Sequence, residues 1–172
     1  MRIAYVIPGS GSRFYCQNCF QHTELYRTLV ALGHDVVKVP MYLSSNSDSS
    51  ANIVDTPVFY GAINVYLKEK LPLYRHAPDW IERLFDSPTL LNLAAKKAGP
   101  TRAVGLEEMT LSMLQGEKGR QASELDQLIQ HLRKEVAPDV VHISNALLLG
   151  LARRLKEDLG VGVVCSLQDE NE

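Results

Sequence analysis

The sequence predicts an α/β domain: a doubly wound, mainly parallel sheet with helices on both faces and a helical insert. Three observations predict it. Short apolar runs rich in β-branched residues alternate with longer segments of helical period. The order is strand, helix, strand, short strand, helical insert, helix, strand, helix, strand, and alternation of this kind calls for parallel strands joined by right-handed crossovers. The length, 172 residues of which 45% are hydrophobic, suits one domain with a real core over residues 1–172.

Each element has its own signal. Arg2 to Ile7 (RIAYVI) is short and almost continuously apolar, which describes a strand buried on both faces. Pro8 to Ser12 (PGSGS) interrupts it. A helical pattern follows from about Asn18 to Leu32, with Tyr26, Leu29 and Val30 spaced to share a face, and Gly33 stops it as a left-handed cap. Asp35 to Pro40 (DVVKVP) is a second strand. Ser44 to Ser50 is a polar loop, and Thr56 to Tyr60 is expected to be a short strand. From Asn64 to Gln115 the helical pattern is broken by Pro72, Pro78, Pro88 and Pro100, so this insert reads as several short helices. Arg120 to Val136 forms a longer amphipathic helix with Leu125, Leu128, Ile129 and Leu132 as its stripe. Asp139 to Ile143 is a strand, Asn145 to Leu159 a helix closed by Gly160, and Val161 to Leu167 a last strand.

Charge and composition exclude several classes. Lys and Arg number 18 against 20 Asp and Glu, for a formal net charge of -2, so the basic stripe of a nucleic-acid surface is missing. No apolar run approaches the roughly 20 residues of a membrane span. The apolar start, Met1 to Pro8, is too short for a signal peptide. Three cysteines, Cys16, Cys19 and Cys165, do not make a secreted disulfide framework. A cytoplasmic location is expected.

Sheets of this kind bind ligands beyond the carboxyl ends of their strands, where the strand order reverses. That rule selects the loop at Gly9–Asn18, the loop after Pro40, the loop after His142 and the tail from Gln168. In the first loop Gly9, Ser10, Gly11 and Ser12 allow close backbone approach, and the following helix start offers N–H groups to a phosphate or a sugar hydroxyl. A tight connecting turn would use the same residues. Two sharper readings fail. A dinucleotide fingerprint needs glycine where Phe14 stands and an acid where Pro40 and Met41 stand, and no phosphate loop of the G-x-x-x-x-G-K-[ST] kind occurs. Arg13 and Tyr15 have the chemistry to hold a phosphate and stack on a sugar ring. His142, Ser144 and Asn145 close the DVVHISN segment and could meet a substrate; His142 equally suits a partly buried, hydrogen-bonded residue that holds the loop. Gln168 and Asp169 follow the last strand and could hydrogen-bond a sugar.

Cys16-x-x-Cys19 stands at a helix start, where thiols are acidified, but two small residues packing the helix against the sheet are the plainer account. Zinc would need two more ligands at matching spacing, so no metal is expected. His22 is read as a solvated helix residue. Lys68, Lys70, Arg75, Lys96, Lys97 and Arg102 could form a basic rim able to meet anionic lipid in a peripheral membrane contact, although a charge run is ordinarily a solvated face.

Together these segments resemble a family. The start, from Met1 through Leu43, is similar to the opening of bacterial group 1 (family 4) GT-B glycosyltransferases. The closest subgroup has a Y-C-x-x-C segment (Tyr15, Cys16, Cys19) and a G-H-D-V-x-x-x-P-x-Y segment (Gly33, His34, Asp35, Val36, Pro40, Tyr42). Pro138-Asp-Val-Val-His142 matches the family's P-D-V-V-H strand, and Val161 to Ser166 resembles its G-V-P-V-V-x-T strand.

The resemblance implies a Rossmann-like N-terminal, acceptor-side domain of a retaining enzyme that moves a sugar from a nucleotide-sugar donor without a bound metal or other cofactor. Gly9 to Ser12 would approach the donor phosphates. Arg13, Tyr15, Asn18, His142, Ser144, Asn145, Gln168 and Asp169 would meet the acceptor or the sugar, and the acceptor would be a carbohydrate or a lipid-linked molecule. The missing partner is the C-terminal donor-binding domain with its paired-glutamate motif, which these residues do not contain. The fragment alone is therefore expected to be inactive and able to self-associate through the face that would meet that domain. Many members carry H-x-H after this strand; here the second position is Ser144, so that histidine's role does not transfer and no catalytic residue is assigned. The alternative is a stand-alone Rossmann-like ligand-binding or regulatory module.

Overall fold

The computed structural model describes residues 1–8, 17–41 and 107–167. Strand β1 (Arg2–Ile7) leads to helix α1 (Gln17–Ala31) and strand β2 (Asp35–Pro40). Helix α2 (Glu107–Gln115) ends in a 3-10 turn at Gly116–Lys118. Helix α3 (Ala122–His131) widens into a π-helical turn over Leu132–Val136. Strand β3 (Val140–Ile143), a 3-10 segment (Ala146–Leu151), helix α4 (Ala152–Leu159) and strand β4 (Gly162–Cys165) complete the described chain.

The four strands form one all-parallel sheet in the order β2-β1-β3-β4. β1 is central, and its burial on both faces is as expected: Ile3 through Ile7 are all buried. Its alternation separates two apolar clusters on opposite sides of the sheet. Ile3, Tyr5 and Ile7 join Val36 beneath Leu25, Tyr26 and Leu29 of α1. Ala4 and Val6 join Val39, Val141 and Ile143 beneath Leu125, Leu128 and Ile129 of α3, Leu132 of the π-helical turn and Leu155 of α4. The larger cluster lies on the α3 side. The stripe expected on α3 is therefore the one that is buried.

Local details refine the boundaries. Gly33 and Gly160 both take positive φ (84° and 68°), closing α1 and α4 as left-handed caps. The stretch expected as a single helix from Arg120 to Val136 begins at Ala122 and loosens at its end. There the Ala137 N–H donates to the carbonyl of Leu132, five residues back, at 2.7 Å, and Pro138 then stops the helix. The helix expected from Asn145 begins instead as a 3-10 segment, Ala146–Leu151. Gly150 lies so close to α2 that an added Cβ would meet the Met113 and Leu114 carbonyl oxygens, and the Gly116 nitrogen at 2.9 Å.

Two expectations on α1 are corrected. Val30 is exposed and Leu25 takes its place on the packed face. His22, expected to be solvated, is 8% exposed. The buried stripe is His22, Leu25, Tyr26 and Leu29, spaced i, i+3, i+4, i+7, one step around the helix from the expected one. Of the helical insert, Glu107 to Gln115 is helical as expected. Residues 64–106, with the six basic residues named above, lie outside the described residues, as do the strand expected at Thr56 to Tyr60 and the loop at Ser44 to Ser50. No described helix is long and apolar enough to cross a membrane.

Candidate functional site at the carboxyl edge of the sheet

The strand order reverses at β1: β2 lies on one side, and the chain returns at β3 on the other. Since all four strands run parallel, their carboxyl ends share one edge. Backbone bonds continue the ladder there. The Met41 N–H donates to Ile7 (2.9 Å), the Ser144 N–H to Val6 (3.0 Å) and the Ser166 N–H to Ile143 (2.9 Å). These bonds fix the residues that leave β3 and β4 side by side.

Four polar residues meet at this edge. The Nε2 of His142 lies 2.8 Å from the Ser166 hydroxyl, which joins the ends of β3 and β4. Ser144 is wholly buried, yet its hydroxyl has no hydrogen-bond partner; the side-chain oxygen of Asn145 is likewise buried and unpartnered. Asn145 is extended (φ -158°, ψ 165°) and precedes the 3-10 segment without capping it through its side chain. An orphaned buried polar group costs about 1–3 kcal/mol. Two such oxygens at neighbouring positions mark a place suited to hydrogen-bond donors from a ligand.

Behind this edge stands a column of three rings. Tyr5 is stacked on His142, with centroids 4.9 Å apart and planes at 23°. On α1, His22 meets the same tyrosine nearly at right angles, 6.0 Å between centroids and 89° between planes. Burial pushes the Tyr5 phenol up and both imidazoles down from their ordinary values. His22 is lowered further by the charges of His142 and Lys38. Both histidines are thus held neutral at neutral pH. Lys38 lies over the ring of Tyr26, 4.1 Å from its centroid, on the same side of the sheet.

A serine beside an imidazole is also how a nucleophile is activated, but that arrangement needs a third group to orient the base. Among the described residues no carboxylate takes that place; the ring of His142 is oriented by stacking on Tyr5. His142 is partly buried and hydrogen-bonded, as one of its two expected readings has it.

Of the sequence-predicted residues, His142, Ser144 and Asn145 are brought together. Asn18 stands in the first turn of α1. Gly9, Ser10, Gly11, Ser12, Arg13, Tyr15, Gln168 and Asp169 lie outside the described residues, as does Cys16. Cys165 is half-buried in β4, its thiol 3.5 Å from the Ser166 carbonyl oxygen. Among the described residues no group of three or more His, Cys, Asp or Glu could hold a metal ion.

Sequence reasoning missed Tyr5, His22 and Ser166. Two signals pointed to the first two. Tyr5 is the one aromatic residue of RIAYVI, and the parallel register sets it opposite His142. His22 falls on the stripe that contains Tyr26 and Leu29.

No family model matches the chain, and no curated protein or solved structure matches it.

Proposed function

We propose that the chain is the acceptor-side, Rossmann-like half of a retaining GT-B glycosyltransferase, with a doubly wound sheet and with the donor-binding half supplied by sequence beyond these residues. The observation that carries this reading is the pair of buried, unpartnered oxygens of Ser144 and Asn145 at the edge where the strand order reverses. A polyhydroxylated ligand brings O–H donors to such oxygens, and parallel α/β sheets take their ligands at this edge. The glycine loop Gly9 to Ser12 follows the central strand of the same sheet, where its backbone N–H groups would serve the donor phosphates. His142 and Ser166 act in this reading as the support that holds the loop after β3.

The reading is tested by assaying the full-length gene product, and the 172-residue chain alone, with a panel of nucleotide hexoses and candidate acceptors. The full-length protein should transfer a hexose with retained anomeric configuration, and the chain alone should not. Ser144→Ala in the full-length protein should weaken sugar or acceptor binding by about 1 kcal/mol or more while leaving the stability of the unliganded protein unchanged or slightly raised. Efficient turnover by the isolated chain, or a reading frame with no second α/β unit, would sink the proposal; the latter would favour a stand-alone binding module.

A further inference from the structure

The buried stripe of α3 does not stay apolar up to the start of the helix. Leu125, Leu128, Ile129, Leu132 and Val136 all belong to the larger core cluster. Carried back one turn from Leu128 and Leu125, the same stripe reaches Glu124 and Gln121, and both are buried. The Glu124 carboxylate accepts a hydrogen bond from the Ser123 hydroxyl at 2.8 Å. Gln121, by contrast, is 3% exposed, and neither its Nε2 nor its Oε1 has a hydrogen-bond partner. It stands at the N-cap of α3, yet its side chain does not cap the helix. Both ends of the amide are unpartnered, so turning it over changes nothing.

Chain direction puts this end of α3 at the carboxyl edge of the sheet. The Asp139 N–H donates to the carbonyl of Arg2 at the opposite edge, and β3 starts directly after it. Helix and strand therefore run in opposite directions. Residues 122–136 and residues 139–145 each cover roughly 20 Å, so the chain leaves the carboxyl edge at Gln121 and regains it at Asn145. Val141 and Ile143 pack on the α3 side, and alternation along the strand carries the extended Asn145 to that side as well. The buried, unpartnered oxygen of Asn145 and the unpartnered amide of Gln121 thus belong to one edge and one face.

We propose that Gln121 is a specificity residue of this edge and that, with Asn145, it takes an uncharged ligand group bearing adjacent hydroxyls. The inference rests on the reading of the edge as a sugar-side site and names the residue and the ligand group of its α3 half. Hydrogen-bond inventory decides the chemistry. The Gln121 amide needs an acceptor for Nε2–H and a donor for Oε1, and the Asn145 oxygen needs a donor. Adjacent hydroxyls supply both, since each donates once and accepts besides. A phosphate or carboxylate supplies acceptors only and leaves both amide oxygens buried and unpaired. A helix start ordinarily favours an anion. At α3 the residue in the N-cap position selects a neutral group instead.

The test is an NMR titration of the isotope-labelled 172-residue chain that follows the side-chain amide of Gln121. Methyl hexopyranosides and myo-inositol are the hydroxyl probes, and inorganic phosphate is the anionic one. The hydroxyl probes should shift the Gln121 amide with saturation, and phosphate should not. Gln121→Leu keeps the bulk and removes the polar atoms. It should weaken the best hydroxyl probe about tenfold, read at the Asn145 side-chain amide. It should also leave the urea midpoint of the free chain in place or raised, whereas loss of a glutamine that only supports the fold would lower it. The proposal is overturned if no hydroxyl probe moves Gln121, if phosphate moves it as far as they do, or if the leucine variant binds as wild type does. The wild-type titration decides the matter even where the variant does not fold. Sugar transfer by the full-length protein with a silent Gln121 sinks this inference alone. A responsive Gln121 in a full-length protein that transfers nothing sinks the transferase reading alone.

Discussion

Tyr5 lies face to face with His142, their ring centroids 4.9 Å apart across the central strand pair β1–β3. Tyr5 is 1% exposed and packs with Ile3, Ile7 and Val36 under α1. It fills the space between the helix and the sheet and sets the imidazole's orientation at the site edge. Tyr5→Ala should therefore cost about 3–5 kcal/mol of folding stability, the usual penalty for emptying a large aromatic site. Tyr5→Phe keeps the ring and should cost much less. Urea unfolding of the three proteins checks this; an alanine variant within about 1 kcal/mol of wild type would mean that the ring is not a packing element.

A second contact joins α2 to the 3-10 segment at two glycines. An added Cβ on Gly150 would meet the backbone of Met113, Leu114 and Gly116, and one on Gly116 would meet the Gly150 carbonyl group. Backbone cannot swing aside as a side-chain end can. Gly150→Ala should cost about 3 kcal/mol or more and separate the 3-10 segment from α2. Gly160→Ala faces open space and meets only the penalty of its positive φ, about 1–2 kcal/mol. Thermal unfolding of both variants should rank Gly150→Ala as the worse; the reverse order would show that the close approach relaxes freely.

The same comparison explains what could be read in the sequence. β1 matches its expected span because burial on both faces demands a continuous apolar run, and β2 matches because its valines stand between the cap at Gly33 and the end at Pro40. The α3 stripe was legible because four aliphatic residues repeat at helical spacing. By contrast, α1 offers two overlapping stripes, one ending in Val30 and one starting at His22; only packing against β1 decides between them, in favour of the polar residue. The close approach of α2 to Gly150 joins segments distant in sequence, which no local pattern announces. At the site, His142, Ser144 and Asn145 were legible as strand-end residues. Their link to Ser166 required the β3–β4 register, which no local pattern encodes.

Arg154 ties three elements on the α3–α4 side. Its guanidinium lies 2.7 Å from Asp158 on its own helix, 2.8 Å from Asp126 on α3 and 4.0 Å from Glu117 of the 3-10 turn. Hydrogen bonds to Asp158 and Asp126 push its pKa up. Arg153, more exposed, pairs with Glu117 and Glu157. Isolated exposed pairs contribute little, about 0–1 kcal/mol, whereas a half-buried guanidinium shared among several carboxylates contributes more. Arg154→Ala should accordingly destabilise by about 1–2 kcal/mol and Arg153→Ala by less than about 1 kcal/mol. Added salt should narrow the difference, because the carboxylates are partly exposed. Equal losses in denaturant titrations at low salt would show that the α3–α4 tie carries no special weight.

Stability should follow pH through the buried rings. Burial lowers the pKa of His22, His131 and His142 in the folded chain, while the unfolded chain keeps the ordinary value of 6.5. Below 6.5 the unfolded chain binds protons that the folded chain refuses, so unfolding is favoured as pH falls. This contribution is fully present above 6.5 and is lost as pH drops through the folded values. At the alkaline end the order reverses. Tyr5 is raised above its ordinary 10.0, so the unfolded chain releases its proton first, and stability is full below 10.0 and lost as pH rises beyond it. A melting-temperature profile should show a plateau between the two limits, falling on either side. Replacing His22 and His142 together by Gln should flatten the acid shoulder, and Tyr5→Phe should flatten the alkaline one. If neither shoulder responds to its own substitution, the rings do not link protons to folding, and the acid and alkaline losses belong to other groups.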